Sequence, residues 1–200
     1  MDRTLMAKLI AWKDEPRRKP LILNGARQVG KTWLLKEFGR TRFSNVAYIN
    51  LDHNAVMREQ FELGYDIPRL ISAFQFETGE HIAEGETLII LDEIQECPRA
   101  LTSLKYFCEE APGYAIAAAG SLLGITIHDG TGYPVGKVET LDLHPMGFTE
   151  FLLATGNGNL AKLIAIDDPV MIDSFSSKLI PLLRQYYYVG GMPEAVAAEY

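Results

Sequence analysis

Short apolar runs alternate with longer amphipathic segments along the chain, and this pattern predicts a parallel β-sheet covered by helices. An apolar run of a few residues that stops at turn residues is typical of a buried strand. Strands that alternate with helices pair in parallel, and the helices cover both faces of the sheet. The predicted strands are Leu21–Leu23, Val46–Leu51, Thr87–Leu91, Tyr114–Ala119 and Val138–Leu143.

Apolar positions three and four residues apart predict the helices between these strands and beyond them. From residue 147 onward the pattern is helical throughout, with a break at Gly190-Gly191. We therefore predict an α/β domain over residues 1–155 and a helical segment over 156–200, the start of a lid or C-terminal region in a chain that continues further. Segment 122–136 is rich in glycine and is predicted to form a loop or a lid. The predicted helices are 4–13, 31–39, 54–77 with an interruption near Gly64 and Pro68, 100–110, 147–154, 160–166, 169–188 and a last one starting at 193.

The composition is that of an ordinary globular domain, because 48% of the 200 residues are apolar and 22% are charged. The net charge of −7 is unevenly placed. Residues 1–45 carry eleven Lys or Arg and four acids, whereas residues 46–200 carry eight and twenty-two. This asymmetry disfavours an extended nucleic-acid interface, without settling whether nucleic acid is a partner, and favours a local anion site near the N-terminus.

Targeting and metal-binding signals are weak in this sequence. No apolar run is long enough for a membrane span, and the N-terminus lacks the pattern of a secretory signal. The two cysteines, Cys97 and Cys108, form no metal-type pair, which fits a reducing cytoplasm. The four histidines show no metal-ligand spacing. We expect a cytoplasmic protein with no membrane partner.

Residues 25–32, Gly-Ala-Arg-Gln-Val-Gly-Lys-Thr, match the phosphate-binding P-loop pattern G-x-x-x-x-G-K-[ST]. They follow a predicted strand and open a predicted helix, as that motif requires. In this arrangement backbone N–H groups and the helix N-terminus attract phosphate oxygens, the lysine reaches the β- and γ-phosphates, and the hydroxyl ligates Mg²⁺. The predicted nucleotide-binding residues are Gly25, Ala26, Arg27, Gln28, Val29, Gly30, Lys31, Thr32 and Trp33.

A second motif, Leu88-Ile-Ile-Leu-Asp-Glu93, is typical of a Walker B strand, in which apolar residues end in two acids. We expect Asp92 to share the Mg²⁺ site with Thr32, and Glu93 to polarise an attacking water. Ser121, after the fourth predicted strand, is a candidate contact to the γ-phosphate or to that water. Asn50 could restrain Glu93 by a hydrogen bond, although an ordinary turn-side role fits Asn50 better.

The chain resembles a family of bacterial and archaeal AAA-type ATPases. The resemblance is carried by GARQVGKT, LDEIQ, Gly120-Ser121, PVGKVETLDLHPMGFTEFL and YYYVGGMPEAV, and it extends from Leu5 to Val196. It implies a three-layer P-loop NTPase sandwich with strand order 5-1-4-3-2, followed by helices. It also implies a C-terminal domain beyond residue 200 that is similar to restriction endonucleases. One departure is Lys137, since many relatives have an arginine there that could act as a trans-acting finger.

The leading functional prediction is a Mg²⁺-dependent ATP hydrolase that couples turnover to a conformational change. A homo-oligomer or a protein partner is left open. One alternative is a nucleotide-dependent signalling or defence switch with little turnover. A P-loop small-molecule kinase is a further alternative, but residues 122–137 lack the arginines of a kinase lid. ATP is favoured weakly over GTP, because no guanine-reading Asn-Lys-x-Asp motif is present.

Overall fold

A five-stranded, fully parallel sheet forms the centre of the computed structural model, which describes residues 3–121 and 133–199. The strand order is β2-β3-β4-β1-β5. This is the predicted order 5-1-4-3-2 read from the other edge, so the predicted fold is confirmed. The strands are β1 (Leu21–Gly25), β2 (Asn45–Asn50), β3 (Thr87–Asp92), β4 (Ala115–Gly120) and β5 (Glu139–Leu143).

The helices follow the predicted pattern with one main difference. The predicted interruption near Gly64 is confirmed, since Gly64 lies in the gap between two helices of the 54–77 segment, and Pro68 lies in the first turn of the second one. Residues 169–188, in contrast, form two helices rather than one, because the helix is interrupted at Phe175. Phe175 has φ −103° and ψ 11°, outside helical geometry, and no glycine or proline in the sequence marks this break. The helices are α1 (Leu5–Asp14), α2 (Lys31–Arg42), α3 (Ala55–Glu62), α4 (Ile67–Thr78), α5 (Pro98–Glu110), α6 (Phe148–Ala154), α7 (Gly158–Ile166), α8 (Pro169–Ser174), α9 (Ser176–Val189) and α10 (Pro193–Glu199), with a 3₁₀ turn at Ile94–Glu96.

The two faces of the sheet pack against different helices because side chains alternate along each strand. On one face, Leu88 and Ile90 of β3 pack with residues of α1 and α2, such as Phe38. On the other face, Ile89 and Leu91 pack with aromatic residues of α3, α4 and α5. All residues of β3 and β4 are buried, as expected for the central strands of a parallel sheet. The sheet therefore holds its carboxyl edge rigidly in place.

The helices that follow α6 pack on α6 and on the segment that connects it to β5. The hydroxyl of Tyr186 donates to the Met146 carbonyl at 2.9 Å, and the Met146 N–H donates to the Gly191 carbonyl at 2.7 Å. A Cβ at position 191 would lie 2.3 Å from the Met146 oxygen, so this close approach requires glycine. Phe151 of α6 shares a small apolar core with Met146 and Val196. The C-terminal helices are thereby anchored beside the sheet.

Two predictions, the domain boundary and the loop or lid, are not tested by the structure. The division of the chain at residue 155 stays a prediction. Most of the predicted loop or lid at 122–136 falls outside the described residues.

Among the helices of the described ranges, none is long and apolar enough to cross a membrane.

Candidate nucleotide-binding site

The P-loop residues lie at the carboxyl edge of the sheet, between the end of β1 and the start of α2. A Cβ at Gly25 would lie 2.4 Å from the carbonyl oxygen of Leu143 in the neighbouring strand β5. Only glycine therefore permits this packing. Ala26, Arg27 and Gln28 are exposed, whereas the Val29 side chain is buried. The loop is thus anchored by its first glycine and by Val29, and it presents its middle residues outward.

Lys31, the first residue of α2, folds its side chain back over the loop. Its ammonium group donates to the carbonyl oxygens of Gly25 at 2.9 Å and of Ala26 at 2.8 Å. Burial lowers the pKa of Lys31 below its ordinary value, while the carboxylates of Glu93 and Asp92 act in the opposite direction. This lysine is a buried cation that the loop carbonyls hold at the cavity described below.

Asp92 receives hydrogen bonds from two hydroxyl groups at the end of β3. The Thr32 Oγ1 donates to Asp92 Oδ2 at 2.7 Å, and the Tyr48 hydroxyl donates to the same oxygen at 3.0 Å. Burial raises the pKa of Tyr48 above its ordinary value, with further contributions from Asp92 and Glu93. The predicted pair Thr32 and Asp92 is therefore brought together, while sequence reasoning did not identify Tyr48.

Glu93 follows Asp92 in a left-handed backbone conformation, with φ 52° and ψ 47°. Its N–H donates to Asp92 Oδ1 at 3.0 Å, and its carboxylate accepts a hydrogen bond from the Gln95 amide. The carboxylate is not bonded to Asn50, whose side chain accepts from the Asp52 N–H at 2.9 Å. The ordinary turn role of Asn50 is the one that the structure supports.

Ser121 lies directly after β4, and its N–H donates to the Gln95 Oε1 at 3.3 Å. The structure thus connects Ser121 through Gln95 to the turn that follows β3. Sequence reasoning gave Gln95 no role. Lys137 lies elsewhere, where its ammonium pairs with Glu109 Oε1 at 2.9 Å. This contact raises the pKa of Lys137.

A cavity of about 600 Å³ opens over the P-loop. Five of the predicted residues of the loop and its helix line it together with Lys31 and Glu93, whereas Gly25, Ala26, Val29, Asp92 and Ser121 do not. The Trp33 indole is 46% exposed there. The lining residues are Arg3, Arg27, Gln28, Gly30, Lys31, Thr32, Trp33, Glu93, Pro193, Glu194 and Ala197.

Arg3 and helix α10 are parts of this cavity that sequence reasoning missed. The Arg3 guanidinium donates to the Val29 carbonyl in the P-loop at 2.9 Å, to the His144 carbonyl after β5, and to Glu150 of α6 at 3.3 Å. It is buried, and it joins the P-loop to the connection that leads into the C-terminal helices. The residues around Arg3 contain no pattern from which contacts with Val29, His144 and Glu150 could be predicted.

The oxygen donors of Thr32 and Asp92 fit a Mg²⁺ site. Magnesium is a hard cation that in phosphate-binding proteins is held by one or two protein oxygens, by phosphate and by waters. Among the described residues, no group of three or more His, Cys, Asp or Glu is placed to bind a metal ion. A hydroxyl and one carboxylate 2.7 Å apart are consistent with a metal held jointly with a bound phosphate.

Comparisons with known proteins identify a family for this chain and solved structures of the same fold. A sequence model of the AAA domain family matches residues 17–152. No curated protein matches the chain. Among solved structures, the Walker-type ATPase of Pyrococcus abyssi is similar at 18% identity and a TM-score of 0.55, covering 98% of this chain and 65% of that one.

Two ORC structures have the same fold at similarly low sequence identity. The ORC2 protein of Aeropyrum pernix in ADPNP–ADP complexes is 15% identical with a TM-score of 0.51, covering 78% of this chain and 52% of its own. The Drosophila ORC bound to DNA is 16% identical with a TM-score of 0.52, covering 94% and 55%. The chain thus spans between half and two thirds of these structures, and such identities show the fold alone. Since the family match covers most of the chain, including residues 25–32 and 88–93, this chain belongs to the AAA domain family.

Proposed function

We propose that this chain binds ATP with Mg²⁺ in the P-loop cavity and hydrolyses it. The observation that carries the proposal is that Lys31, Thr32 and Glu93 line one cavity, while Asp92 accepts a hydrogen bond from the Thr32 hydroxyl. Membership in the AAA domain family and the similarity to a Walker-type ATPase support it. The domain 1–155 would carry this activity, and the helical segment 156–200 would form part of a lid or C-terminal region.

Lys31 supplies the positive charge for the β- and γ-phosphates. Its ammonium bonds two loop carbonyls, so it can exchange these for phosphate oxygens without leaving the site. The N–H groups at the start of α2 add donors that point along the helix axis. Thr32 and Asp92 would hold Mg²⁺, which when bound neutralises charge on the phosphates. Ser121, with its N–H already engaged by Gln95, is the proposed contact near the γ-phosphate.

Glu93 is the proposed group that orients and polarises the attacking water. Its carboxylate lines the cavity, and it lies near enough to Lys31 to act against the lowering of that lysine's pKa by burial. The water attacks the γ-phosphorus in line, the bond to the β–γ bridging oxygen breaks, and the water's proton leaves towards the Glu93 carboxylate. The products are ADP and inorganic phosphate.

The same cavity gives a physical route from the nucleotide to the C-terminal helices. Pro193, Glu194 and Ala197 of α10 line it, and Arg3 joins the P-loop to the connection before α6. We propose that occupancy and turnover shift α10 relative to the sheet, and that a second copy or a protein partner senses this shift. The free cysteines Cys97 and Cys108 support a cytoplasmic location.

The test is phosphate release with Mg·ATP by the wild-type chain, by Glu93→Gln and by Glu96→Gln. Glu96 is the matched control, because it lies on the same turn but pairs with Arg58 at 3.9 Å. We expect Glu93→Gln to keep ATP binding and to lose turnover by about two orders of magnitude or more, within the range for a lost general base. Equal turnover in all three proteins would refute the role of Glu93.

A nucleotide-dependent switch with little turnover is the second candidate, and the Arg3 contacts favour it. They connect the P-loop carbonyl of Val29 to His144 and to Glu150 of α6. Ligand binding without hydrolysis could therefore change the position of the C-terminal helices. Under this candidate, hydrogen exchange in α10 responds equally to ATP in the wild-type chain and in Glu93→Gln. Under the hydrolytic function, the response of the wild-type chain decays as ATP is consumed and that of the variant persists.

A further inference from the structure

One side chain links the ends of two neighbouring strands at the proposed site. Gln95 lies in the 3₁₀ turn that follows β3, and its amide nitrogen donates to the Glu93 carboxylate. Its amide oxygen accepts from the Ser121 N–H, directly after β4, at 3.3 Å. Because β3 and β4 are adjacent in the sheet, a single glutamine spans from one strand end to the other.

Glu93 has a fixed backbone but a side chain that needs support. Its left-handed conformation is held by the hydrogen bond from its N–H to Asp92 Oδ1 at 3.0 Å. Its side-chain torsions remain free unless another group restrains the carboxylate. A free side chain must be ordered before it can act on a water, and this ordering costs conformational entropy. Within the described part of the chain, the Gln95 amide makes the hydrogen bond that reaches this carboxylate.

The orientation of the Gln95 amide is set by Ser121. An amide has a donor end and an acceptor end, and a backbone N–H can only bond the acceptor end. The Ser121 N–H therefore turns the NH₂ end of Gln95 towards Glu93, which as a carboxylate can only accept. The position of the β4 end and the placement of Glu93 are coupled through this one amide.

Gln95 does not reach the ligand cavity. The lining of the cavity includes Glu93 but not Gln95. We propose that Gln95 is a positioning residue, which rests on the proposed hydrolytic function: it holds the Glu93 carboxylate for attack by water and ties that placement to the Ser121 segment. Its removal then lowers turnover and leaves ATP binding intact, because a misplaced reacting group affects the chemical step.

The experiment compares kcat and the Kd for Mg·ATP of the wild-type chain with Gln95→Ala, Gln95→Glu and Gln75→Ala. The glutamate variant keeps an acceptor for the Ser121 N–H but presents no donor to Glu93 at pH 8. Gln75 is the matched control, since its side chain also accepts a backbone N–H, that of Ile82 at 2.9 Å, but it lies on α4 and does not line the cavity. We expect both Gln95 variants to lose about tenfold or more in kcat, with Kd changed less than about twofold, and Gln75→Ala to keep kcat.

Three results would overturn the inference while leaving the proposed function in place. The first is unchanged kcat in both Gln95 variants. The second is full kcat in Gln95→Glu alone, which would mean that only the Ser121 contact matters. The third is a further tenfold loss when Gln95→Ala is added to Glu93→Gln, because Gln95 would then act without Glu93. A wild-type chain that binds ATP without hydrolysing it would refute the proposed function, and this inference with it.

Discussion

Replacing Arg3 by methionine is expected to destabilise the fold by about 3 kcal/mol. The Arg3 and Glu150 side chains are 4% and 9% exposed, and their charged atoms are 3.3 Å apart. Breaking a buried ion pair by removing one partner costs roughly 3–5 kcal/mol, because the remaining charge is left without compensation. Methionine keeps much of the apolar stem, so lost packing contributes little.

The lower end of that range follows from the other bonds to Glu150. Its Oε1 still accepts from the Thr4 N–H at 2.7 Å and from the Thr4 hydroxyl at 3.0 Å, and its Oε2 accepts from the Gly147 N–H at 3.3 Å. These three donors keep the carboxylate partly compensated. A loss of about 3 kcal/mol corresponds to a fall in Tm of about 6–12 °C for a chain of this size.

The assay is urea unfolding followed by circular dichroism, with thermal unfolding as a second measure. Arg40→Met is the matched control, because Arg40 pairs with Glu37 at 2.7 Å but its side chain is 71% exposed. An exposed pair contributes under about 1 kcal/mol. Adding Glu150→Gln to Arg3→Met should recover about 1 kcal/mol, since it removes the uncompensated charge. A loss for Arg3→Met no greater than that for Arg40→Met would refute the reasoning.

Three further predictions concern single substitutions. Gly191→Ala should lower the free energy of unfolding by ~1–3 kcal/mol in urea titrations, because its Cβ would lie 2.3 Å from the Met146 oxygen. The pKa of the Tyr48 hydroxyl is raised in the fold, so the wild-type chain should lose stability relative to Tyr48→Phe as the pH rises above about 10. Lys137→Ala, which removes the exposed pair with Glu109, should change stability by less than about 1 kcal/mol and leave phosphate release per chain unchanged.

Each of these has an outcome that contradicts it. Gly158→Ala is the control for Gly191, since only Leu153 lies near its Cβ, at 3.8 Å, and equal losses would show that the Met146 contact is unimportant. Parallel pH profiles for the wild-type chain and Tyr48→Phe would contradict the raised pKa. A large drop in turnover for Lys137→Ala would restore Lys137 as a candidate finger acting on a neighbouring copy.

Much of the fold was predictable because its signals are local. The apolar runs that end at Gly25 and Asp92 identify buried strands and the motifs at their carboxyl ends, and the family resemblance supplied the strand order. The break at Phe175 was not predictable, since no glycine or proline stands there. The glycines at 190 and 191 were recognisable as a helix break, but not their close packing on Met146.

The site was predictable only in the part that consecutive residues form. The sequence identified Lys31, Thr32 and Glu93 from short motifs, and the structure brings them to one cavity. Contacts between residues distant in sequence carry no local signal. Arg3 bonds Glu150, 147 residues further along the chain, and Gln95 meets Ser121 because β3 and β4 are adjacent. In hindsight, Gln95 stood in the LDEIQ segment that marks the family resemblance, which was a signal without an assigned role.

The most direct test of the central claim is a calorimetric titration of the chain with Mg·ATP. It compares the wild-type protein with Lys31→Ala and with Lys137→Ala, whose lysine pairs with Glu109 away from the cavity. The account predicts saturable binding by the wild-type chain and by Lys137→Ala, and its loss in Lys31→Ala. Binding that is equal in all three, or absent from a folded wild-type chain, would contradict the assignment of the P-loop cavity as the nucleotide site.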